Sequence, residues 1–417
     1  MRFIENITEK EYEEFLKNSN KSHFEQSYQW GKFSQESKNV IPHYVGIKDK
    51  NKIVATALLL EKKLLFGLTY LYSPRGFVLD YKNLELIKTF TTYLKNYAKK
   101  RHAIFIKFDP DIKLHTLNLN GEVIDDGIDN YELVNYLKKI GYKHTGFNKN
   151  FENSSPRYTF RLNIDKSIDE IIDGFHNTTK KIIKKGNPYN LKIIKNDINM
   201  IDDFYLTMKE TAKRENIAPY NINYYKNFYE KLHEKNMSDL YVVKADIKQL
   251  KERYEENINN INKQIKNISS KNKKTEYENQ LNKLLKEKKE LDKINTNELT
   301  LSSIITAKYD NKVWTVHGGN HSLLRTLNSN YLIYFEIIKD AHNEGYKLID
   351  FFGTTGNPDP KNSVYGIHLF KKRLGGEYTE FIGEFNYPIK PVFYFLFNHL
   401  IKIRRNAQRI KSKIKNR

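Results

Sequence analysis

Apolar positions along this chain follow two periods, one near two residues and one near 3.6, and together they lay out most of its elements. Short apolar or alternating runs predict strands at His43 to Lys48, Lys52 to Lys62, Leu68 to Ser73 and Ala103 to Phe108. Apolar residues three and four apart predict helices over Glu9 to Lys17, Leu84 to Lys100 and Tyr131 to Ile140. The same alternation then restarts. Strands are expected at Tyr158 to Leu162, Leu191 to Lys195, Leu240 to Lys244, Thr300 to Ala307, Lys312 to His317 and Leu348 to Phe352. Helices are expected at Ser167 to Lys185, Ile201 to Glu215 and Tyr224 to Glu234. Two similar α/β units in tandem, 1–155 and 156–400, are the simplest organisation.

One stretch breaks the pattern. Ile247, Leu250, Tyr254, Ile258, Ile261, Ile265 and Ile268 recur at steps of 3, 4, 4, 3, 4 and 3, which is a coiled-coil seam. A polar break at 269–274 precedes a second stripe of Tyr277, Leu281, Leu284, Leu285, Leu291 and Ile294. Lys288 falls where an apolar residue would fit, with its stem free to lie along the seam. Residues 246–298 therefore read as an antiparallel helical hairpin inserted in the second unit.

The segment from Gly345 to Pro388 carries the densest chemistry. An apolar strand, Lys347 to Phe352, runs into a loop with two glycines and two prolines, Gly353 to Pro360. Tyr365, Gly366, Phe370 and Lys371 follow, then a Gly375-Gly376 turn and an alternating strand from Phe381 to Phe385. Strand-end loops of this kind are common places for substrates.

Composition narrows the possibilities. The 417 residues contain no cysteine, which excludes thiol nucleophiles, disulfides and zinc–cysteine sites. No apolar run of about twenty residues and no secretory pattern occurs, so a cytoplasmic protein is expected. Lysine and arginine outnumber aspartate and glutamate by 71 to 50, which favours a polyanion or an anionic membrane face as partner. The hairpin contributes little, with 13 basic and 10 acidic residues. The tail 401–417 has eight basic residues and no acidic one, and follows the aromatic run Phe393-Tyr394-Phe395-Leu396-Phe397. Such a segment suits either a packed terminal helix or a peripheral contact with the inner membrane face.

The motifs Ile349-Asp350-Phe351-Phe352-Gly353-Thr354, Tyr365-Gly366-Ile367-His368-Leu369-Phe370-Lys371 and Ile382-Gly383-Glu384-Phe385-Asn386 occur in the order found in the Fem family of peptidyltransferases. Gln29-Trp30, the run from Ser73 to Tyr81 and Ile106-Lys107-Phe108-Asp109-Pro110 extend the resemblance over nearly the whole chain. The resemblance implies two tandem GNAT-like domains carrying the hairpin arm. It also implies transfer of an amino acid from aminoacyl-tRNA to the stem or bridge peptide of a peptidoglycan precursor, lipid II or its nucleotide precursor. Dimerisation with itself or with another Fem-type protein is compatible with it.

Such a transfer needs a neutral amine to attack an ester carbonyl, and donors for the oxyanion that forms. By the resemblance, Asp109 matches the aspartate proposed as base, and Lys371 the lysine facing the acceptor end of the tRNA, with Phe370 beside it. Tyr365 and Thr354 are expected to line the site. Where relatives hold the precursor with an Arg and a Tyr four residues on, this chain has Tyr220 and Tyr224, so the guanidinium fork suited to diphosphate is missing. His317 replaces a tyrosine before Gly318-Gly319, and Ser34 replaces the lysine four residues after Trp30, with Lys32 as the nearest stand-in. A pyrophosphate loop for acetyl-CoA is not evident, His317 and His321 flank a turn rather than share a helix face, and neither cofactor nor metal is expected. The rival class is a non-catalytic RNA- or membrane-binding protein on the same fold, against which the retention of Asp109, Phe370 and Lys371 argues.

Overall fold

Strand Ala103–Pro110 lies between Thr69–Arg75, to which it is parallel, and Phe385–Pro388, to which it is antiparallel. In this computed structural model, which describes residues 1–215, 217–401 and 403, that trio is the middle of a mixed sheet. Lys52–Lys63, Ile41–Asp49 and Arg2–Ile4 extend it on one side and Lys143–His144 on the other. Helix Leu84–Lys100 lays Leu86, Ile87, Phe90, Leu94 and Tyr97 onto Val45, Leu59, Leu71, Ile106 and Phe108. That apolar stripe is why the helix forms where the 3.6 period places it. Asn83 caps its first turn by accepting from the Leu86 N–H.

The chain divides into two compact units, 1–160 with 352–368 and 377 onward, and 161–351 with 369–376. Assigning all of 156–400 to a second unit thus misplaces two returning segments. The reason is strand pairing: Phe385–Pro388 completes its backbone hydrogen bonds against Ala103–Pro110 and Lys143–His144, in the first sheet. The second unit has its own strands, in the order Lys192–Lys195, Leu240–Asp246, Glu298–Tyr309, Lys312–Asn320 and Leu348–Thr354, antiparallel except for the last pair. Helix Ile201–Glu215 packs closely on Lys312–Asn320 at Gly319. A Cβ there would meet Thr207 Oγ1 at 2.4 Å and the Met208 nitrogen at 2.6 Å. Gly318 has ordinary clearance, 3.7 Å from Ile304.

Several elements differ from expectation. The helix expected over Ser167 to Lys185 is two, Ile168–Asp173 and Asn177–Lys185, because Gly174 ends the first and the His176 ring caps the second by accepting from the Thr178 N–H. The Phe381 to Phe385 strand is likewise two, Glu377–Phe381 and Phe385–Pro388, separated at Gly383, whose φ is +95°. Helix Tyr28–Lys38, started by the Ser27 cap, had no predicted counterpart.

The hairpin consists of Ile247–Lys266 and Lys271–Asp292, held antiparallel by Tyr254 Oη donating to Glu287 at 2.9 Å and by Lys288 pairing with Glu255 at 3.3 Å. Only Ile247, Leu250, Tyr254 and Leu291, near its base, are buried; farther out the stripes are half-exposed and Leu285 is exposed. Most of the basic tail, 402 and 404–417, lies outside the described residues.

Candidate active site

Asp109 ends its strand with a buried carboxylate that faces its own neighbours. Oδ1 accepts the Arg75 backbone N–H at 2.9 Å and Oδ2 accepts the Tyr72 hydroxyl at 3.0 Å. Arg75 holds a left-handed backbone with φ +52°, a conformation unfavourable for a residue with a Cβ, and the Asp109 contact helps to hold it. Burial pushes the Asp109 carboxyl above the ordinary range, Arg75 opposes the rise and Glu384 adds to it. Arg75, Asp109, Ser155, Arg157 and Glu384 line a depression with about 180 Å³ of empty space.

Two further charges interact with this cluster. Partial burial raises Glu25 to about 7, while Arg75 and Lys38 pull it down and Asp109 pushes it up. Lys38 is lowered by burial to about 8, and its ammonium sits 4.2 Å from the centre of the Trp30 ring. Lys32 does not take part. It is exposed and pairs with Glu9 at 2.8 Å. Ser34 and Lys38 are one helical turn apart, so the lysine on the relevant face is Lys38.

Lys371 is buried, on helix Tyr365–Arg373, an element that the sequence pattern beside the strand-end loop did not predict. Desolvation lowers its pKa to about 7, against which the nearby Asp350 carboxylate works. Asp350 is itself buried and accepts Arg161 Nε at 2.8 Å. Phe370 packs edge-on against Tyr331 and Tyr334, each with ring centres 5.0 Å away. An acid inside an otherwise apolar strand, as in Ile349-Asp350-Phe351, and Glu384 in the motif Ile382-Gly383-Glu384-Phe385 were the available signals for these partners, since a buried charge requires one.

The fold also brings His317 to Tyr220 and Tyr224, some ninety residues earlier in the chain. Tyr220 and Tyr224 stack at 4.0 Å, and the His317 ring stands edge-on to them at 6.3 and 5.8 Å, with Tyr225 and Phe228 each 5.1 Å from it. Tyr220 is largely exposed while Tyr224 is buried, so the cluster presents one ring to solvent. Thr354 does not face solvent. It is buried, with its hydroxyl 3.4 Å from His368 Nδ1. Tyr365 is half-buried and stacks at 6.5 Å on His368, a residue wedged against Phe160 and Tyr378.

Comparison with known proteins places these residues in a wider setting. The model of the FemAB family matches residues 7–402. Lipid II:glycine glycyltransferases of Staphylococcus epidermidis and Staphylococcus aureus are 26% and 27% identical to this chain, with 97% of both chains covered in each case. The crystal structure of FemX superposes with a TM-score of 0.74 at 25% identity, covering 95% of this chain and 99% of that one.

Proposed function

This chain belongs to the FemAB family and is an aminoacyltransferase, and we propose that it takes an amino acid from aminoacyl-tRNA and joins it to the stem or bridge peptide of a lipid-linked peptidoglycan precursor. The observation that carries the reading is Lys371. A buried lysine with a pKa near 7, beside an acid and next to an aromatic, is poised to donate to an oxyanion and to exchange a proton near neutral pH. The acceptor amine attacks the ester carbonyl and the C–O bond to the tRNA ribose breaks. The proton lost by nitrogen balances the one gained by the leaving hydroxyl, with Lys371 as the donor at the carbonyl end.

In the first unit Asp109 is a positioning residue, since its oxygens are engaged by Arg75 and Tyr72. Within the second unit, Tyr220, Tyr224 and His317 supply a stacking face in place of a guanidinium fork. Glycine is the amino acid to test first, because the two staphylococcal relatives are named for it.

The test is transfer of radiolabelled amino acids from a charged tRNA pool to purified lipid II. Label should enter the lipid fraction with the intact protein and be lost with Lys371→Ala. Asp109→Asn preserves the shape of the carboxylate and should retain most of the activity; its complete loss would return the base role to Asp109. Absence of label in the lipid fraction with every amino acid would reject the acceptor proposed here.

A further inference from the structure

The first unit exposes apolar side chains at two places that meet at one end of its sheet. The turn joining Lys52–Lys63 to Thr69–Arg75 presents Leu65 and Phe66, 78% and 94% exposed. Phe66 also adopts a left-handed backbone, φ +59°, unfavourable for a bulky residue, in order to stand there. Helix 391–401 is apolar on both faces. Tyr394 and Phe397 pack on Phe105 and Tyr70, whereas Val392, Phe395, Leu396 and Leu400 point to solvent, with Ile403 just beyond. A helix that is apolar all round normally has a partner on each side. Tyr70 lies four residues from Phe66 and touches Phe397, so the two features are neighbours.

Charge identifies the covering partner. Lys62 and Lys63 immediately precede the turn, Lys390 precedes the helix, and the sequence from 401 to 417 adds eight cations without an acid. Large apolar side chains bordered by lysine match the interface of an anionic bilayer, where the rings enter the acyl boundary and the cations meet headgroups. No described helix is long and apolar enough to cross a membrane, which makes surface attachment the geometry available to these elements. We propose that the Leu64–Leu68 turn and the outer face of helix 391–401 form one docking surface for an anionic lipid bilayer. The inference stands on exposure and charge and holds whichever acceptor the enzyme uses.

The full-length protein should sediment with phosphatidylglycerol-containing vesicles far more than with phosphatidylcholine vesicles. Leu65→Ser with Phe66→Ser, and separately Val392→Ser with Phe395→Ser, should each weaken that binding by at least about tenfold, because apolar insertion supplies much of the affinity. The substituted residues are exposed, so melting curves should stay those of the parent. Trp30 and Trp314 are buried, so Phe66→Trp adds a reporter whose emission should shift to the blue with anionic vesicles. Vesicle binding unaffected by both double variants, or no vesicle binding by the parent, would overturn the proposal. So would a parent dimer, seen by analytical ultracentrifugation, that the same substitutions dissociate while leaving vesicle binding unchanged, since a second copy would then be the occupant.

Discussion

Burial holds the Lys371 pKa near 7 instead of 10.5 even though Asp350 favours the charged form, and this has a consequence for stability that is separate from catalysis. Between those two values the unfolded chain carries a proton at this site that the folded chain has largely given up. Stability therefore rises with pH across about 7 to 10, and below about 7 the full penalty of burying the ammonium is present. At about 1.4 kcal/mol per pH unit, the penalty is of the order of a few kcal/mol. Lys371→Met keeps the volume and removes the charge, while Asp350 retains Arg161. We expect the variant to melt higher than the parent at pH 7, to lose the stability gain between pH 7 and pH 9, and to be inactive in transfer. A lower melting temperature at pH 7 would mean that the ammonium is stabilising where it lies and that its depressed pKa has no part in the chemistry. Retention of a destabilising charge is expected of a residue kept for function.

At the scale of elements, the hairpin separates what packing needs from what reach needs. Tyr254 is fully buried, stacks on Tyr189 at 5.8 Å and is tied to Glu287, so the base belongs to the body of the second unit. Beyond it the seam is half-exposed on both helices. Replacing residues 257–285 with a short turn should leave the melting temperature within a few degrees of the parent, because little buried apolar surface is lost, whereas Tyr254→Ala should destabilise by roughly 3–5 kcal/mol. If the outer arm touches tRNA, the shortened protein will need more aminoacyl-tRNA for half-maximal transfer; an unchanged requirement assigns the arm to another partner or to none. The hairpin was legible in sequence because a seam with steps of three and four can hardly be anything else. The helix carrying Lys371 was less so, since Tyr365–Arg373 is short and follows a glycine- and proline-rich loop whose end no local signal marks. Strand Phe385–Pro388 was readable as a strand, but its place in the first sheet is a long-range pairing with Ala103–Pro110 that periodicity does not encode. Counting from Trp30 along the sequence leads to Ser34 and Lys32, whereas the helix places Lys38 over the Trp30 ring, a proximity that linear spacing does not reveal.

For the molecule as a whole, the net charge of +21 is unevenly spread: the hairpin segment carries +3 and the last seventeen residues +8, leaving +10 on the rest of the chain. Under the proposed function and docking surface, RNA and membrane would be served by different portions of the chain if the tail lies with the docking surface. Truncation after Ile403 removes seven of the cations and keeps the described helix. It should sharply weaken binding to phosphatidylglycerol-containing vesicles, because each basic residue near an anionic surface contributes about 1 kcal/mol. The same truncation distinguishes the partners through salt. For single-stranded RNA, log K falls against log salt with a slope of roughly −0.7 per neutralised phosphate, so a tail wound onto tRNA could account for up to about 5 of that slope. We expect the slope for aminoacyl-tRNA to change by less than about 1 on truncation, with the body and the face around Lys371 retaining the RNA contact. A loss of several units would place the tail on the tRNA instead, leaving Leu65, Phe66 and the outer face of helix 391–401 to hold the bilayer with only their adjacent lysines.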